Sequence, residues 1–325
     1  MRRINITKEL REKVEKFNAT LFTGRKKSFI HPKLLLKRLR LRKDKEEFFG
    51  LPESKIEQYV KKIEDEYLII LNADSKTAER LITEFEKLIS ADEMTTALHE
   101  SITTAMRYTD LREKEFIAFL SDLNIKACVY CHSQSTLVIS QEGGTKWRAL
   151  LQLDHKYPKS KYPFLSTSFY NLYPICANCN LSKGDRPTEF ELYVDHFDLD
   201  VFGFGLEKKS ILRYWKAKNI DEIQIEIRGN NISKKSLHEY QTMFNIQPIY
   251  DQHKDIAEEL LHKLEVYNDA YKTTLKEEFS KLFPDKTMIN RLIIGNYDKS
   301  ADMLKRPMAK FVQEIARDIK LIPKE

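Results

Sequence analysis

Two stretches decide how this chain folds: CVYCHSQ (residues 128–134) and LQLDHKYPKSKYPFLSTSFYNLYPICANCNLSKGDRP (residues 151–187). Together they hold all four cysteines, arranged as two Cys-x-x-Cys pairs, Cys128/Cys131 and Cys176/Cys179. Four thiolates in two such pairs close a tetrahedral zinc site with Zn–S bonds of about 2.3 Å. A redox pair would need a βαβ frame, which the pattern around these cysteines lacks. The plainer alternative, small apolar side chains unrelated to one another, leaves the repeated spacing unexplained. His132 follows Cys131 directly and is read as a bystander, because four thiolates already complete the set.

Between the pairs, Ala149-Leu150-Leu151-Gln152-Leu153 reads as a short buried strand leading into Asp154-His155. The proline- and aromatic-rich run that follows suits a structured loop. Asn180 to Lys183 is expected to open a helix that stops before Pro187. Phosphodiester cleavage needs a base for the attacking water and a cation to offset charge on phosphate and leaving oxygen. A histidine is suited to the first role, and a carboxylate suits a hard ion such as Mg²⁺ for the second. Adjacent side chains on a regular strand point to opposite faces, so Asp154 and His155 must lie at a strand end or bulge to share one phosphate.

Working outward, the first 120 residues are helical in pattern. Ile56, Tyr59, Val60 and Ile63 form an amphipathic stripe, as do Leu81, Ile82, Phe85, Leu88 and Ile89,. A further helix is expected around Leu98, Ile102, Ala105 and Met106. Past residue 200, Ile223 to Ile227 alternates like a half-buried strand ending at Gly229-Asn230-Asn231. Helical periodicity returns from Ile256 to Leu282 and from Met308 to Ile319. The fold class is α+β and mostly helical, in three parts: a basic helical region 1–120, a central unit 121–200, and a mixed, mainly helical region 201–325.

The chain is 42% hydrophobic and 32% charged, with 9 glycines and 10 prolines, which argues for globular units and against low-complexity linkers. No apolar run approaches the roughly 18 residues of a membrane span, and the first residues lack the apolar core of a signal peptide. With no cysteine left over for disulfides, a cytoplasmic location is expected. The net charge of +6 is uneven. Residues 1–50 carry 16 Lys/Arg against 6 Asp/Glu, which reads as a basic arm able to attract a polyanion. Trp147 reads as core packing rather than a platform for a base. Gly143-Gly144 reads as a turn.

The two quoted stretches resemble HNH endonucleases of the ββα-metal class with a four-cysteine zinc clasp. The resemblance implies that Cys128, Cys131, Cys176 and Cys179 hold structural zinc and that His155 is the general base. It implies Asp154 and Asn180 as ligands of catalytic Mg²⁺ or Mn²⁺, and Asn171 as the asparagine that braces the loop and orients the base. Lys183 matches a basic position one helical turn after the last motif residue, and with Lys156 and Arg186 it is expected to contact nucleic acid. Asn180 stands where many relatives carry histidine, which makes the donor set all-oxygen and favours hard ions. The run DHKYPKSKYPFLSTSFYNLYP is also similar to HNH proteins of bacterial anti-phage systems of the Septu and retron-associated type. That likeness implies an ATPase as partner; DNA is the expected substrate, and no membrane association is expected from the lack of a long apolar run. The alternatives from other classes are a non-catalytic zinc module that binds nucleic acid, and an RNase-type toxin on the same core.

Overall fold

The computed structural model describes residues 2–141, 146–186, 188–278 and 287–324. Its N-terminal layer is built of helices whose starts are set by side-chain caps. Thr7 Oγ1 accepts from the Leu10 amide (3.2 Å), Asp74 from Thr77 (3.0 Å) and Thr95 from Leu98 (3.3 Å). These bonds satisfy amide groups that a helix start would leave unpaired. The capped helices are Lys8–Ala19, Ser75–Glu86 and Thr96–Ala105; Pro32–Arg40 and Glu53–Asp65 pack among them. The expected stripes face inward: Ile56, Tyr59, Val60, Ile63, Leu81, Phe85, Leu98 and Ile102 are buried.

The central unit consists of a hairpin, Leu137–Gln141 against Lys146–Leu150, and a second antiparallel pair, Gln152–His155 against Leu172–Ile175. The short helix Ala177–Lys183 completes it. The strand expected over 149–153 is thus two strands broken at Leu151, and Leu150 is 45% exposed. Trp147 likewise stands out on the hairpin at 41% exposure, a correction to its reading as core. The knuckle helix opens at Ala177, three residues before the expected Asn180, because Cys176 serves as its N-cap.

The C-terminal part contains the hairpin Phe202–Leu206 with Ile225–Gly229 and helices including Lys208–Ala217, Lys234–Phe244, Lys254–Val266 and Ala309–Asp318. Ile223 is buried between the 3-10 turn Ile220–Glu222 and the strand rather than in the strand. The helix expected from 256 to 282 ends at Val266 and resumes at Asp269; its end at Leu282 lies outside the described residues. All three parts contribute to one continuous apolar core. Ile4–Asn5 also pairs in parallel with Tyr193–Val194.

The first 50 residues therefore form no free arm. Leu10, Val14, Leu21, Phe22, Leu36 and Phe49 are core residues. Several of the cations are paired within the chain: Arg2 with Asp200 (2.7 Å), Arg25 with Glu115 (2.6 Å), Arg40 with Glu64 (2.7 Å) and Lys45 with Glu53 (2.6 Å). Lys33, Lys37, Arg38 and Lys43 stay exposed. Among the described residues, no helix is long and apolar enough to cross a membrane.

The loop after His155 is mounted on helix Ser75–Glu86. Phe164 stacks on Phe85 at 4.0 Å between ring centroids and meets Tyr59 edge-on at 6.2 Å. Tyr162 donates to Glu86 (3.0 Å) and Tyr157 to Glu79 (3.3 Å). Phe164→Ala should cost about 3–5 kcal/mol of stability, as expected for a buried phenyl group. Urea denaturation would measure it, and a loss under about 1 kcal/mol would mean the loop does not depend on this helix.

Candidate active site and zinc knuckle

The four cysteine sulfurs lie within 4.8 Å of one another, and Cys131 Sγ is 3.9 Å from Cys176 Sγ. A tetrahedron with bonds of about 2.3 Å to zinc has edges of about 3.8 Å, so the sulfurs are spaced to hold the ion. Two further donors point at sulfur: the Cys179 amide to Cys176 Sγ (3.4 Å) and Ser133 Oγ to Cys131 Sγ (3.3 Å). These would offset negative charge on thiolates. His132 is outside the cluster and accepts from the Arg2 amide through Nε2 (3.3 Å).

The knuckle is braced from two sides. The Val129 amide donates to Pro174 O (3.4 Å), which ties the first cysteine pair to the strand entering the second. From the C-terminal part, Tyr240 Oη donates to Tyr130 O (2.6 Å) and Tyr250 Oη to Cys131 O (2.7 Å). Both phenols are buried, so they satisfy carbonyls that would otherwise be unpaired away from water.

His155 is the last residue of its strand and Asp154 the one before it, as sharing one phosphate requires. Both line a cavity of about 270 Å³ together with Asn180, Lys183, Tyr108, Arg112 and Lys159. Asp154 is buried and held at both oxygens. Tyr130 Oη donates to Oδ2 (2.7 Å), and Lys183 Nζ donates to Oδ1 (2.9 Å) and to His155 O (3.3 Å). Burial raises the Asp154 pKa; the Lys183 charge and the hydrogen bonds from Tyr130 and Lys183 oppose that rise.

The buried His155 ring has Nε2 3.0 Å from Ser166 O. A carbonyl can only accept, so Nε2 carries the proton and Nδ1 keeps its lone pair. Burial pushes this imidazole down to about 4, with the charges of Lys159 and Lys183 adding to the effect. Near neutral pH the side chain is an uncharged proton acceptor.

Asn171 holds the loop by three bonds. Its Oδ1 accepts from the Tyr157 amide (2.8 Å), and its Nδ2 donates to Tyr157 O (3.2 Å) and Leu165 O (3.0 Å). The last of these fixes the backbone next to Ser166, the residue that fixes the His155 ring. Asn180 is partly exposed on the knuckle helix.

Two of the residues expected to contact phosphate are buried and ion-paired. Lys156 is turned inward, bonded to Glu191 and to Ser75 Oγ (2.9 Å), because the loop needs that anchor. Lys183 is 1% exposed and lies inside the site on Asp154. Arg186 is exposed, its guanidinium folded over the end of the knuckle helix on Lys183 O (3.2 Å) and Ser182 O. Exposed cations on the cavity wall are Arg112 and Lys159, the latter over the Tyr108 ring at 5.4 Å. Tyr130 went unread in the sequence although it lies inside the first cysteine pair; only its place beside two ligands could have flagged it. Tyr108 and Arg112, contributed by a distant helical segment, carry no local signal.

Residues 128–186 match the family model described as HNH endonuclease. No curated protein and no solved structure matches the chain. The matched segment contains the cysteine cluster, Asp154, His155, Asn171 and Asn180, and its likeness to an HNH endonuclease domain points to nuclease action on, or binding of, nucleic acid.

The knuckle makes a direct prediction. Cys176→Ser should lose bound zinc, read by elemental analysis, and should speed amide hydrogen exchange along 152–155 and 172–183. A variant with full zinc content and unchanged exchange would show that the cluster does not clamp the site.

Proposed function

We propose that the protein is a divalent-metal-dependent DNA endonuclease. The observation that carries this reading is the convergence of a neutral, oriented imidazole with two oxygen donors, Asp154 and Asn180, on one cavity. The donor set fits Mg²⁺ or Mn²⁺, since both ligands are hard oxygens and each Asp154 oxygen keeps an acceptor position beyond its present hydrogen bond. A divalent ion held there would neutralise charge on the scissile phosphate and on the departing 3′-oxygen.

The chain's own residues do the rest. His155 Nδ1 takes the proton of the attacking water; the oxygen forms a bond to phosphorus, and the bond to the 3′-oxygen breaks. The Nε2–H bond to Ser166 O keeps the ring in the tautomer that leaves Nδ1 free. Asn171 holds that carbonyl in place through the loop. Lys183 balances the Asp154 charge. The zinc knuckle takes no part in the chemistry and keeps strand, loop and helix in register.

The likeness of the Asp154–Pro174 stretch to anti-phage HNH proteins supports a cytoplasmic role as effector of a defence system, beside an ATPase partner. Copurification from the native host would test that role: recovery of an ATPase supports it, and its absence under phage challenge counts against it.

His155→Ala should lower plasmid nicking in Mg²⁺ by about 100-fold or more, in line with the contribution of a general base, with zinc content and DNA affinity retained. Undiminished nicking would remove His155 from the base role. Cleavage of tRNA in preference to DNA would move the reading to a ribonuclease. DNA binding without any Mg²⁺-dependent turnover would leave a binding module.

Exposed cations on the helix Pro32–Arg40 provide a separate test. Replacing Lys33, Lys37 and Arg38 with glutamine should make the slope of log affinity against log salt shallower by about 2–3 if all three meet phosphates. An unchanged slope would direct this face to something other than DNA.

A further inference from the structure

The hairpin strand Lys146–Leu150 runs into the Asp154 strand with only Leu151 between them. Trp147 projects from it with 41% of its surface in water. Single exposed apolar side chains are common on a protein surface, so what singles out this indole is the cavity it lines and the cations beside it. It lines a cavity of about 350 Å³ with Arg112, Arg148, Ile117, Gln152 and Leu153. Arg112, Gln152 and Leu153 also line the cavity that holds Asp154, His155 and Asn180. The two cavities share a wall, so the indole stands at one end of a groove whose other end is the candidate active site.

The groove has the chemistry of a nucleic-acid strand. Arg112 and Arg148 are both exposed, and Glu113, the acid in this cavity, is an ion-pair partner of Arg112 at 3.4 Å. Exposed Lys159 adds positive charge at the active-site end. Cations along a groove track a phosphate backbone, and an aromatic face beside them stacks a base of any identity. Bases within intact duplex are already stacked on both faces. Away from a duplex end, an indole at the groove's end can therefore stack only on a base that has left the helix or was never in one.

We propose that Trp147 stacks on an unpaired base of the DNA strand being cut, with Arg112 and Arg148 holding the flanking phosphates. The protein then prefers strands with an unpaired nucleotide beside the scissile bond, such as flaps, gaps, bulges or single strands, over intact duplex. The inference rests on the nuclease reading for the cutting step, but not for the binding that tests it.

Full-length, zinc-loaded protein carrying Trp215→Phe leaves Trp147 as the single tryptophan. Its fluorescence is titrated, without added Mg²⁺, with an oligothymidylate and with a blunt duplex of equal length. The single strand should quench Trp147 strongly and bind more tightly than the duplex. Trp147→Ala should reduce the preference for the single strand about tenfold, as expected for loss of one stacked base, and Trp147→Phe should retain most of it. Hydrogen exchange on both variants verifies that the hairpin is intact. Absent quenching, or an equal preference in Trp147→Ala and the parent, overturns the inference even if Mg²⁺-dependent cleavage is found. Quenching with the expected loss, in a protein that cleaves nothing, sustains the inference and rejects the nuclease reading.

Discussion

The meeting of four sulfurs is the constraint on which the central unit depends. Cys128 and Cys131 lie on one turn and Cys176 and Cys179 on another, and their sulfurs come within 4.8 Å. Once those two turns are joined, the chain between them must leave and return, and it does so as a hairpin, a strand pair and a loop. The unit is small, and a core of that size gains little from burial alone; a metal held by the four cysteines would supply a staple. The rest of the molecule completes the clamp. Helix Ser75–Glu86 seats the loop through Phe85, and the phenols of Tyr240 and Tyr250 close the knuckle from the opposite side.

The electrostatics of the site follow from the same enclosure. A buried carboxylate is costly unless paired and hydrogen-bonded, and Asp154 has both Lys183 and Tyr130. Tyr130 belongs to the first cysteine pair and Lys183 to the helix carrying the second, so the knuckle that holds the sulfurs also fixes the carboxylate. His155 is treated in the opposite way. Burial beside Lys159 and Lys183 disfavours its charged form, and the Ser166 carbonyl selects which nitrogen stays free. One enclosed space thus contains a compensated acid and an uncharged base.

The cysteine pairs and the Asp154-His155 dipeptide were legible because metal ligation and proton transfer restrict residue type and spacing within a short stretch. The N-terminal stripes were legible because their apolar residues recur at the helical period, and Ile56, Tyr59, Val60 and Ile63 are indeed buried together. What escaped depends on contacts between distant segments. Lys156 reads as a loop cation until Glu191 and Ser75 are seen beside it. The charge of residues 1–50 reads as an arm until Asp200, Glu115 and Glu64 neutralise part of it. Trp147 reads as core because large aromatics usually are, yet its hairpin leaves it 41% exposed. Tyr108 and Arg112 reach the site from a helical segment whose periodicity says nothing about what it faces.

The proposed nuclease depends on Asp154 and Asn180 sharing one hard ion beside His155. The most direct measurement is Mn²⁺ binding to the zinc-loaded protein, followed by electron paramagnetic resonance. One site per chain is expected, abolished when Asp154→Ala and Asn180→Ala are combined, with zinc content unchanged. No Mn²⁺ site in the parent protein, or a site that survives in the double variant, would contradict it.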